Sequence, residues 1–143
     1  MLKRFASFMI AFNLTALALV ALPTAAIAEA RCSATPESGV WVNPDARQSS
    51  LARLEVRTTC AGGTHGWKVR ALTRCSRTLC SWGYSEGVRR PDGALAVLFD
   101  TFQAERLVRM SVDRDVMRVA VISIFRGGRG DQVDRYRLKR SYE

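Results

Sequence analysis

The chain has 143 residues, a formal net charge of +9 and four cysteines. That length allows one domain at most. With 48% hydrophobic residues it is no disordered tail, and the reading below also excludes a multidomain enzyme, a transmembrane protein and a cytosolic redox protein.

In chain order, Lys3 and Arg4 precede an apolar run, Phe5 to Leu22, which ends in Pro23 and the small residues Ala25-Ala26-Ile27-Ala28. This predicts a secretory signal peptide over 1–28, cut after Ala28 or Ala30. Asn13 and Thr15 interrupt the run, so a membrane anchor is disfavoured, and no transmembrane segment is expected after processing. An N-terminal arm over 29–37 and a β domain over 38–143 follow.

The cysteines, Cys32, Cys60, Cys75 and Cys80, all lie beyond the signal peptide. An even number in an exported chain reads as disulfides. Three connectivities are open. A local Cys75–Cys80 bridge across Ser76-Arg77-Thr78-Leu79 is geometrically easy, and it would leave Cys32 to tie the arm to Cys60. With His65 the only histidine, the spacing fits no common zinc pattern; neither a metal nor a cofactor is expected.

From Ser38 onward the apolar pattern has period two, with turn residues at short intervals, the signature of antiparallel strands. Ser38 to Asn43 is a first strand. Ala52, Leu54 and Val56 form one face of the second. Trp67, Val69, Ala71 and Thr73 follow on the third, and Cys80, Trp82 and Tyr84 share a face of the fourth, Leu79 to Ser85. Pro91-Asp92-Gly93 turns into a fifth strand at Ala94 to Thr101. Arg106 to Val112, Val116 to Phe125 and Gln132 to Ser141 complete eight. The expected fold is therefore all-β: an eight-stranded antiparallel up-and-down barrel, disulfide-tied, with a two-sheet sandwich as the alternative.

The strand Val116 to Phe125 is apolar on both faces, with Ala120, Ile122 and Ile124 outside. Such a row calls for cover by the arm, a loop or a second copy, giving a monomer or a weak dimer through these residues.

Gly39-Val40-Trp41 resembles the Gly-x-Trp opening of avidin- and lipocalin-type barrels. The longer order, Gly39-Val40-Trp41-Val42-Asn43-Pro44-Asp45, then Cys75 and Cys80 followed by Trp82-Gly83, with Tyr136 and Arg140 near the end, is similar to a family of small bacterial exported domains beginning Gly-Thr-Trp-x-Asn-x-Asp. The resemblance implies the barrel and adds little about function.

No convincing catalytic set emerges. His65 falls in the loop-like Gly62-Gly63-Thr64-His65-Gly66 and most acids fall at turns, so no enzyme is expected. Two binding surfaces are expected instead. Trp41, Asn43, Trp82 and Tyr84 would line the mouth of a pocket, if one exists. Arg53, Arg57, Lys68, Arg70, Arg135, Arg137 and Lys139 face outward on strands two, three and eight, and would merge into a basic wall attractive to an anionic glycan, lipid or partner protein. Sequence-specific nucleic-acid binding is not expected, because no binding motif is present and the aromatics face inward. The chain thus reads as a periplasmic or secreted non-enzymatic binding module. Its alternatives are an inhibitor of a secreted peptidase or lysozyme, acting through the arm or the Cys75–Cys80 loop, and a small-ligand carrier of avidin or lipocalin type.

Overall fold

A computed structural model describes residues 32–142; the expected signal peptide and the start of the arm lie outside the described residues. Eight strands follow in order: β1 (Gly39–Val42), β2 (Leu51–Ala61), β3 (Thr64–Cys75), β4 (Thr78–Arg89), β5 (Leu95–Asp100), β6 (Ala104–Asp113), β7 (Val116–Phe125) and β8 (Gln132–Ser141). Each pairs antiparallel with its neighbours in sequence, and β8 returns to β1, so the meander closes into a barrel. Closure gives every strand two neighbours, so short hairpins suffice to build it, although the short β1 and β5 leave parts of β2, β4 and β8 without a ladder partner on one side.

Inside, side chains at alternate positions fill the barrel. Trp41, Leu54, Val69, Leu95, Phe99, Met110, Met117 and Leu138 are among a continuous buried cluster. An eight-stranded barrel is just wide enough to be packed shut in this way. Gly87 makes part of that fit: a Cβ there would lie 3.0 Å from Trp67 Cβ and Leu95 Cδ1.

The cysteines pair as Cys32–Cys60 and Cys75–Cys80, with Cα separations of 5.9 and 5.7 Å. Two disulfides are compatible with an oxidising, non-cytoplasmic compartment. Among the described residues no helix is long and apolar enough to cross a membrane.

One local feature changes which residues share a face. Between Arg70–Tyr84 and Leu72–Ser81 the β3–β4 register shifts, with one extra residue on β4. Gly83 occupies that bulge at φ +90°, a backbone conformation natural to glycine. The bulge reverses the alternation, so Trp82 points inward and Tyr84 outward. β4 then continues to Arg89 rather than ending at Ser85.

Candidate functional site

The meander gives the barrel two unlike ends. The loops 43–50, 76–77, 101–103 and 126–131 gather at one, and the arm, 62–63, 90–94 and 114–115 at the other.

The arm's end is plugged. Trp41, fully buried, donates its indole N–H to the Glu37 carbonyl at 2.8 Å. The Arg140 guanidinium lies 4.2 Å from the Trp41 ring centroid and donates to the carbonyls of Ser38 (2.6 Å) and Pro36 (2.7 Å). Beside it, Arg89 stacks on Trp67 at 4.8 Å and grips the Glu37 carboxylate with both terminal nitrogens, at 2.6 and 2.9 Å. Glu37 is only 4% exposed; its fork-to-fork hydrogen bonding with Arg89 outweighs burial and holds its carboxyl below the ordinary carboxylate range. The Trp67 indole donates to Thr35 Oγ at 3.1 Å. His65 sits on the first rungs of β3, half-buried and stacked on Trp67 at 5.9 Å, rather than at an exposed loop tip. These contacts hold Thr35 to Ser38 against the barrel.

The four residues expected at a pocket mouth do not come together. Trp41 belongs to the plugged end. Asn43 is buried and pins the β1–β2 loop, donating to the Leu51 carbonyl at 2.7 Å and accepting from Asp45 N–H at 3.1 Å. Tyr84, 44% exposed, stands outside the barrel because of the Gly83 bulge. Trp82 alone of the four lines the open end.

The expected basic wall divides into two. β1 is only four residues long and pairs with β8 at Lys139 to Ser141, so Lys139 reaches Arg53 across Val42 while Arg135 and Arg137 lie beyond it. On β2 and β3, Glu55 sits among the cations, 3.1 Å from Arg53 and 3.8 Å from Arg70. Arg57 and Arg70 lie against Tyr84, at 5.6 and 5.5 Å from its ring centroid. Lys68 faces Glu86 across the β3–β4 ladder. That half of the wall is thus largely committed to its own neighbours.

Arg135 and Arg137 instead face β7 and β6, where Arg109, Ala120 and Arg135 form one rung and Ser111, Arg118 and Arg137 the next. The four arginines border a groove of about 830 Å³ whose apolar lining includes Ala120, Ile122 and Val133. Arg109 pairs with Asp92 and Arg118 with Asp113; among the described residues neither Arg135 nor Arg137 has an ion pair. The next rung, Leu98, Leu107, Ile122 and Val133, is apolar across four strands, and Ile124 beyond it is 50% exposed. The described part of the arm crosses the plugged end and does not cover this face. Sequence reasoning located Arg135, Arg137 and the apolar row separately and missed Arg109 and Arg118; their common outward parity on β6 and β7 was the available signal.

The open end holds a further charged group. Arg106 points inward from β6, since its ladder partners Phe99 and Ser123 are both buried. Its guanidinium stacks on Trp82 at 4.8 Å, and Trp82 meets Phe99 edge-on at 5.7 Å.

Compared with known protein families, with curated proteins and with solved structures, the chain finds no match.

Proposed function

We propose that the protein is an exported, non-enzymatic binding module, periplasmic or secreted, which holds an anionic envelope component on the outer face of β6–β8. The observation carrying this reading is the groove itself: four guanidinium groups around an apolar floor, two of them without a carboxylate partner among the described residues. Arginine forks match phosphate and carboxylate oxygens in pairs, while Ala120, Ile122 and Val133 offer an acyl or other apolar group a surface to cover. A phosphate-bearing lipid satisfies both halves of the groove. Glycans or acidic proteins would use the arginines and leave the floor bare.

Vesicle co-sedimentation tests this. Phosphatidylcholine vesicles containing phosphatidylglycerol are expected to bind the protein, with affinity falling steeply as salt rises. Arg135→Glu with Arg137→Glu should abolish that binding, and Ile122→Asp should weaken it at constant charge on the arginines. Arg57→Glu with Lys68→Glu on the opposite wall should have a smaller effect. Salt-insensitive binding, or equal losses from the two double variants, would overturn the proposal.

A further inference from the structure

Two arginine–tryptophan pairs of the same geometry occur in this barrel, one at each end. Arg89 lies 4.8 Å over Trp67 and Arg106 lies 4.8 Å over Trp82. At the plugged end the chain fills the guanidinium fork with its own carboxylate, Glu37, bound through two nitrogens. At the open end the fork has no such partner. Arg106 donates Nη1 to the Thr101 hydroxyl and, among the described residues, forms no ion pair. Burial lowers its pKa from the usual arginine value, yet a guanidinium remains a cation at neutral pH. A half-buried charge with most of its donors unused is costly unless something supplies acceptors.

The space in front of it is built to admit a ligand. Arg106 and Trp82 line two cavities at the open end, of about 210 and 370 Å³, which also share Ser49 and Gln103. In the smaller one Ser123 and the Tyr136 phenol add hydroxyls; burial and then the Asp134 charge hold that phenol above its ordinary pKa, so it stays a neutral donor. Asp134 is also on the rim, held by the Gln132 amide at 3.0 and 2.9 Å. The smaller cavity is lined by two guanidinium groups, Arg106 and Arg129, and one carboxylate, Asp134, a net single positive charge that suits a monoanion also carrying hydroxyls better than a dianion such as phosphate.

We infer that this cup is a binding site for a small hydroxylated monocarboxylate, whose carboxylate takes at Arg106 the place that Glu37 takes at Arg89. The cup shares Tyr136 with the β6–β8 groove, but its strand residues face inward, above the packed core, and its ligand is a small acid rather than an envelope polymer or lipid. The packed interior makes it a shallow cup at the rim.

The test follows the indole N–H signals of the oxidised, ¹⁵N-labelled protein during titration with lactate, gluconate, neutral lactamide and phosphate at constant ionic strength. Lactate or gluconate is expected to shift Trp82 saturably, with Kd in about the millimolar range or tighter, and to leave Trp41 and Trp67 unmoved. Arg106→Gln should weaken that binding by at least about tenfold through loss of charge-assisted hydrogen bonds, whereas Lys68→Gln, on β3 across from Glu86 and outside both sites, should not change it. Were R106Q to unfold, R106K, which keeps the charge and loses the fork, should bind measurably more weakly than the parent. The inference is overturned by any of four results: no saturable Trp82 shift with either acid, equal binding of lactamide, tighter binding of phosphate, or unchanged affinity in the Arg106 variant that folds.

Discussion

The two ends of the barrel use the same parts and leave them in opposite states. At the plugged end Arg140 and Arg89 cover Trp41 and Trp67, and residues 36–38 supply two carbonyls and one carboxylate, with the Gly93 carbonyl also accepting from Arg89. At the open end Arg106 covers Trp82 and Arg129 covers Phe125 at 4.8 Å, with one hydroxyl in the arm's place. The difference teaches that an arginine–aromatic pair can be completed by the chain itself, as at Arg89, or left with a single hydroxyl, as at Arg106. The proposed small-acid site thus lies at the end opposite to the one the arm holds.

The largest effect expected from that assignment concerns the disulfides. Cys32–Cys60 spans 28 residues and ties the arm to the plugged end, whereas Cys75–Cys80 spans 5 at the open end. On loop-closure entropy alone, replacing the first pair by serine should cost about 3.5 kcal/mol and the second about 2 kcal/mol. Denaturant midpoints of the two double variants measure this. A larger loss at the Cys75–Cys80 hairpin would break the comparison.

Next comes a direct exchange between ends. Arg89→Gln leaves the nearly buried Glu37 carboxylate without its partner and should cost about 2–4 kcal/mol. Arg106→Gln removes a desolvated charge that has no carboxylate partner among the described residues, and stability should stay within about 0.5 kcal/mol or rise. The pH dependence separates the two further. Because Glu37 titrates lower in the folded protein than in the unfolded chain, its contribution is present above the ordinary carboxylate pKa and is lost as pH falls through the lowered one. Thermal melts from neutral to acid pH should show that loss, with a shallower acid slope in Glu37→Gln. An unchanged slope in that variant would detach the arm from the stability of the plugged end.

Much of the barrel was legible in the sequence, because period-two alternation on Leu54–Val56, Val97–Phe99 and Val108–Met110 leaves few other folds for so short a chain. The disulfide pairing was legible for a similar reason: a four-residue gap between Cys75 and Cys80 favours a local bridge. Arg106 was harder to see, though it shares parity with Val108 and Met110 and so stands as a charge in an inward row. Arg89 fell outside the expected fourth strand, and Glu37 outside the expected barrel domain, so the ion pair between them had no sequence signature. Nothing in the composition divides the basic wall. That division comes from the shortness of β1 and from Glu55, which a list of cations does not contain.

The smallest expected effect tests the residue that sets Tyr84 apart from Trp82, and with it which aromatic belongs to the open end. Gly83 lies within an uninterrupted strand pattern, and an isolated glycine there is a bulge signal. At φ +90° a Cβ would meet nothing within 4 Å, so space is no obstacle and backbone conformation alone opposes a side chain. Gly83→Ala should therefore cost about 1–2 kcal/mol if the bulge persists. If the strand instead relaxes to regular pairing, the penalty falls and one of the two aromatics changes face: either Tyr84 leaves Arg57 and Arg70, or Trp82 leaves Arg106. Tyrosine and tryptophan fluorescence quenching by iodide reads the two cases apart. A stable variant with Trp82 turned outward is expected to lose the heat of lactate binding in titration calorimetry while Arg106 stays in place, the result required if the guanidinium needs its aromatic support to bind.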